Sequence, residues 1–81
     1  MRVQVRFFAI LREQARTSAL DLDLPAGATV ATARDAVLKK LPQLNELIAR
    51  AAYARNRNQA RPEDELCAGD EVAFLPPVSG G

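Results

Sequence analysis

The sequence predicts an α+β domain, a mixed sheet with one full helix laid across one face. Three observations carry that prediction. Arg2 to Phe8 alternates apolar and polar at strand period, and Glu71 to Leu75 is a short apolar run behind a Gly69-Asp70 turn signal. Between these ends lies one segment, Val30 to Leu41, whose apolar residues recur at helical spacing. The order strand, strand, helix, strand, strand contains no internal repeat and none of the steady alternation that builds a doubly wound sheet.

Each element follows from its own residues. In the first strand Val3, Val5 and Phe7 point one way and Gln4, Arg6 and Phe8 the other, so Phe8 is an aromatic on the polar side. Ala9 to Ala15 is mostly good helix formers and predicts one or two turns, broken at Thr17-Ser18. Leu20, Leu22 and Leu24 alternate with Asp21 and Asp23 and predict a second strand ended by Pro25, antiparallel to the first. Ala26-Gly27-Ala28 is a turn, and Thr29 is the expected N-cap of the main helix. Val30, Ala33, Val37, Leu38 and Leu41 form its apolar stripe, and Asp35 and Lys39 are placed to pair one turn apart. Lys39 and Lys40 suit the negative end of the helix dipole. Pro42 stops the helix, and Leu44, Leu47 and Ile48 predict a short further helix. Ala51 to Asn56 predicts a strand closed by an Asn56-Arg57-Asn58 turn, with a short edge strand near Gln59-Ala60. The residues 62–65 form a loop anchored by Leu66. The last strand lies most easily beside the first and parallel to it.

Composition removes several functions. Eighty-one residues make one domain with a modest core, and a net charge of +1 with scattered Lys and Arg does not draw the chain to nucleic acid or anionic membrane. No apolar run approaches the ~20 residues of a membrane span, and the N-terminus shows no signal-peptide pattern. The single cysteine, Cys67, excludes an internal disulfide, fits a reducing cytoplasmic setting, and reads as a small, partly buried hydrophobe. There is no histidine, so the usual general base is missing and no structural zinc or other metal site is expected. If such a chain takes part in catalysis, it is expected to do so as a substrate or carrier.

The C-terminus is the informative stretch. Pro76 and Pro77 cannot donate to a sheet ladder and hold the chain extended, so the domain is expected over residues 1–75 and an extended tail over residues 76–81. Six residues at ~3.3 Å each reach roughly 20 Å. Val78 and Ser79 continue the tail, and Gly80 and Gly81 add no side chain for a core to bury. A frayed end has no need of a Pro-Pro stiffener. A glycine carboxylate on a slim tail can be threaded into a narrow active site, and Gly81 is therefore the expected reactive residue with Gly80 keeping the end slim. In the last strand Val72 and Phe74 alternate with Ala73 and Leu75, and both sets are apolar. We assign Val72 and Phe74 to the core and Ala73 and Leu75 to the open sheet face beside Phe8, as a protein-docking patch continuous with Pro76, Pro77, Val78 and Ser79.

Phe7-Phe8-Ala9 with Leu11-Arg12-Glu13, then Ala54-x-Asn56, then Leu66-x-x-Gly69-Asp70-Glu71-Val72-Ala73-Phe74-Leu75-Pro76-Pro77-Val78-Ser79-Gly80-Gly81 resembles the small subunit of molybdopterin synthase, in the sulfur-carrier branch of the ubiquitin-like β-grasp fold. The resemblance covers the whole chain in length and element order. It is most specific in the last sixteen residues and weakest over Arg57 to Glu65, where a regular fourth strand is least supported. It implies that an activating enzyme adenylates Gly81 with ATP and magnesium, and that sulfur from a persulfide donor displaces AMP to leave a glycyl thiocarboxylate. It further implies a hetero-oligomer with a large synthase subunit, which takes in the tail and supplies the catalytic groups. Two transfers to cyclic pyranopterin monophosphate would then form the dithiolene of molybdopterin. No cofactor is expected on this chain. Three other functions remain open from the sequence: a ubiquitin-type protein modifier, a thiamine-pathway sulfur carrier, and an interaction module without terminal chemistry. Only Lys39 and Lys40 could build self-linked chains.

Overall fold

A computed structural model describes residues 1–76 of the chain. The described elements are β1 (Arg2–Phe7), α1 (Ala9–Ala15), β2 (Ala19–Asp23), α2 (Val30–Lys40), a 3-10 turn (Pro42–Leu44), α3 (Asn45–Ala49), β3 (Ala52–Arg55), β4 (Asn58–Ala60) and β5 (Glu71–Leu75). The strands form one sheet in the order β2-β1-β5-β3-β4. β1 pairs with β2 antiparallel and with β5 parallel, as the sequence predicts, and the chain's last strand therefore occupies the middle of the sheet. β3 is antiparallel to both β5 and β4. The segment least supported by the resemblance does hold a strand, β4, at Asn58–Ala60.

The alternation in β1 sends Val3, Val5 and Phe7 into the core, where each is at most 1% exposed. The register carries Val72 and Phe74 of β5 onto the same side, opposite Val5 and Phe7. α2 lies across this side with Val30, Ala33 and Val37 buried; Leu38 and Leu41 are only partly buried, so the stripe is narrower than predicted. Thr29 caps α2 in a reciprocal box, its Oγ1 accepting from Thr32 N–H and Thr32 Oγ1 accepting from Thr29 N–H. Leu11 and Ala15 of α1, Leu44 and Ile48 join the same core. The small helices therefore thicken the α2 side of the sheet and leave the opposite face open.

Two local expectations hold and a third needs correction. β1 and β2 are antiparallel neighbours as expected, joined through α1. α1 runs over Ala9–Ala15 as expected, and Arg16, with φ of 61° and its N–H donated to the Arg12 carbonyl, forms a left-handed cap just ahead of Thr17-Ser18. Asp35 pairs with its neighbour Arg34 at 3.1 Å, not with Lys39. Arg34 also donates to the Tyr53 hydroxyl at 3.4 Å, so its side chain leans along the helix toward the sheet and within reach of the Asp35 carboxylate.

Candidate functional site

The open face is built from the residues that alternate with the core. Arg6 of β1 lies opposite Ala73 of β5, which lies opposite Ala54 of β3, so three strands contribute one row. One step toward the strand ends, Leu75 is opposite Ala52, and Phe8 leaves β1 in extended conformation before α1 begins. Phe8 and Leu75 are 40% and 39% exposed, and it is their lying together that makes an apolar patch. Both line a shallow groove whose floor is Ala73 and Ala54. Ala73 faces the groove as expected but is only 7% exposed, because its methyl group lies in a central strand beside Arg6 and between Glu71 and Leu75 of its own strand. Pro76 follows Leu75 directly and is partly buried. The remaining expected site residues, Pro77, Val78, Ser79, Gly80 and Gly81, lie outside the described residues.

Charged groups rim the groove. Glu71 Oε2 is 3.7 Å from Arg6 Nη1, and Glu71 Oε1 is 3.9 Å from Arg57 Nε. The Arg6 guanidinium carbon sits 5.8 Å from the centroid of the Phe8 ring, a cation–π distance. Arg57 and Glu71 were not among the sequence-derived site residues. Strand alternation places Glu71 on the face of Ala73 and Leu75, so that signal was readable. Arg57 reaches the groove from the β3–β4 turn, and only the tertiary register brings it there.

Beneath the site, Asp70 fixes the start of β5. Its carboxylate accepts from Arg55 Nε at 2.7 Å, from Asn56 Nδ2 at 2.9 Å and from Cys67 N–H at 2.7 Å. Burial alone would raise its pKa, but the bonds from Cys67, Asn56 and Arg55 outweigh burial and hold it below the ordinary carboxylate value. Asn56 Oδ1 in turn accepts from Glu71 N–H. The Asn56 and Gly69-Asp70-Glu71 parts of the motif are thus a clamp joining β3 to β5. Gly69 turns the chain there with φ 86° and donates its N–H to Arg2. Cys67 is exposed, contrary to the partly buried position expected for it, and its Sγ is 3.8 Å from Arg55 Nη2. The reason is local: Leu66 takes the inward position at 4% exposure, and the next residue must face out. Among the described residues no cluster of His, Cys, Asp and Glu could hold a metal ion, and no helix is long and apolar enough to cross a membrane.

A mixed sheet whose parallel central strands are β1 and β5, crossed by one main helix, with β5 ending beside an open apolar face, defines a ubiquitin-like β-grasp protein. Comparison with known proteins narrows the class. The model of the ThiS family matches residues 5–81. A molybdopterin synthase sulfur carrier subunit of Chlamydomonas reinhardtii is 34% identical, with 100% of both chains covered. The crystal structure of small archaeal modifier protein 1 from Haloferax volcanii superposes with a TM-score of 0.92 at 31% identity, covering 100% of both chains. A chain in the complex of subunits 1 and 2 of molybdopterin-converting factor from Helicobacter pylori superposes with a TM-score of 0.73 at 28% identity, again covering 100% of both chains. The chain belongs to the ThiS family of ubiquitin-like β-grasp sulfur carriers.

Proposed function

We propose that this chain is the sulfur-carrier subunit of a molybdopterin synthase and that Gly81 carries the sulfur as a thiocarboxylate. The observation that carries this reading is end-to-end similarity to relatives that bear that name, in a chain ending Pro-Pro-Val-Ser-Gly-Gly beyond the central strand. The chemistry asks for no histidine on this chain, and the sequence has none. A carboxylate is a poor electrophile, so an activating enzyme using ATP and magnesium would first let a Gly81 oxygen attack the α-phosphorus, expelling pyrophosphate. A persulfide sulfur would then attack the acyl carbon and AMP would leave. A thiol would cleave the resulting acyl disulfide, releasing the thiocarboxylate and a new disulfide. The large synthase subunit would receive the tail and direct the sulfur to the pterin.

The open face is the docking surface in this reading. It is apolar at Phe8, Ala73 and Leu75, charged at its rim, and continuous with the point where the chain leaves the sheet. Leu75→Glu and Phe8→Glu should weaken binding to the large subunit and to the activating enzyme by more than ~1.4 kcal/mol, tenfold in affinity, in folded protein. The decisive experiment is the intact mass of the chain after incubation with the activating enzyme, ATP, magnesium and a sulfur donor. Exchange of one terminal oxygen for sulfur is expected. An unchanged carboxylate, with the enzyme active on another carrier, overturns the reading.

The likeness to an archaeal modifier protein favours one second reading, in which Gly81 is joined to lysine amines of other proteins. Recovery of Gly81 in amide linkage from its source cells, with no thioacid form, would select it. The two exposed lysines, Lys39 and Lys40, adjoin one another on α2, so branched self-chains have little to build on.

A further inference from the structure

The groove holds one carboxylate for two guanidinium groups. Arg6 and Arg57 flank Glu71 on opposite oxygens, at 3.7 and 3.9 Å, and both distances exceed a hydrogen bond. Neither arginine is therefore firmly held by it. Arg6 Nε is buried and has no acceptor among the described residues, although the side chain as a whole is 38% exposed. An N–H donor left without an acceptor in the free protein is unfavourable and is relieved by any rearrangement that supplies one. The Phe8 ring beside the guanidinium limits how its plane can turn. Arg57 is 87% exposed and stands over the same groove from the β3–β4 turn.

Resting on the docking reading above, we infer that Arg6 and Arg57 form an acceptor fork for an acidic side chain of the partner protein, set beside apolar residues that cover Phe8 and Leu75. A carboxylate entering between the two guanidinium groups brings the local charge of the groove from +1 to zero and offers an acceptor to Arg6 Nε, which has none among the described residues. An apolar neighbour on the partner excludes water from the pair, which strengthens it. The same count argues against a second copy of this chain as the occupant. Two copies face to face would oppose the same surplus of arginine, and like charges across an interface are costly. Arg6 and Arg57 then decide which partner is accepted, while Phe8 and Leu75 supply apolar contact to any partner.

The test uses the full-length protein and the large synthase subunit, with affinity measured by calorimetry across a salt series. Arg6→Gln keeps most of the side-chain stem and should lose about tenfold in affinity; Arg6→Glu should lose about a hundredfold. Both should flatten the salt dependence. Arg57→Glu, at an exposed turn, should act in the same direction and remains informative if an Arg6 variant fails to fold. Leu75→Glu is measured alongside. If Leu75→Glu abolishes binding while the Arg6 and Arg57 variants bind with unchanged affinity and salt dependence, the acidic-partner inference is overturned and the docking reading stands. If Leu75→Glu binds like the parent, both fall. A homodimer in sedimentation that Leu75→Glu dissociates would assign the face to a second copy and overturn the inference.

Discussion

Asp70 is the residue on which the inner architecture of the site turns. It is the single buried charged residue among the described residues, at 7% exposure, and its three donors come from β3, from the β3–β4 turn and from the loop before β5. Its lowered pKa makes stability depend on pH with a definite sign. The contribution is fully present above the unfolded value of about 3.9 and is lost as pH falls through the lower folded value. Asp70→Asn should therefore lower the unfolding free energy at pH 7, measured in urea, by about 2 kcal/mol for the lost charge-assisted bonds. The gap between variant and parent should narrow below pH 4 (a gap independent of pH would mean that the carboxylate's charge is irrelevant). Arg57 is a second residue where local and functional demands part. Asn56 and Arg57 have φ of 50° and 69°, the two left-handed positions of a tight hairpin turn, and glycine is favoured at the second. Arg57→Gly should raise stability by about 1 kcal/mol through relief of that strain. It should also weaken partner binding, so melting and calorimetry on one variant would move in opposite directions.

At the scale of elements, α2 and β5 show two grades of legibility. Thr29 was readable as the N-cap because a Thr before an apolar-periodic run has one obvious task, and the structure adds the return bond from Thr32. Thr29→Ala should cost about 1 kcal/mol in thermal or chemical unfolding. β5 was harder, since both of its faces are apolar and alternation alone cannot tell inside from outside. The pairing of Phe7 with Phe74 and of Arg6 with Ala73 decides it. Phe74 is fully buried, with its ring edge-on to Tyr53 at 5.6 Å. Phe74→Ala should cost about 3–5 kcal/mol and threaten folding, whereas Leu75→Glu, one residue on, should leave the melting midpoint nearly unchanged. Similar losses from both would mean that the open face is in fact packed. The Asp35–Lys39 pair illustrates the opposite case. Correct spacing only made it possible, and on an exposed helix face such pairs differ too little in energy for spacing to choose the partner.

For the whole molecule, the arrangement of the sheet separates stability from the proposed chemistry. The core closes around β1, β5 and α2, and every described core residue precedes Pro76. Deleting Gly81 should therefore abolish sulfur transfer while leaving the thermal midpoint unchanged. A fully active deletion would remove the carrier from Gly81. Gly80→Val adds a branched side chain and removes positive φ from the tail, so it should slow adenylation or transfer without affecting folding. Cys67→Ser should keep activity, since the thiol stands against Arg55 of the Asp70 clamp and is not among the groove-lining residues.

By itself the sequence determined the strand and helix segments to within a residue or two, the inward set of β1, the Thr29 cap and the turn at Asn56. These rest on period, caps, turn residues and composition, which are local properties of the chain. Tertiary structure alone decided that Arg57 and Ala54 reach the groove of Phe8 and Leu75, that Cys67 faces out, and that Asp70 gathers donors from three segments. These depend on which strands become neighbours and in what register. A strand carries its own alternation, but it carries no mark of the residue that will lie across from it.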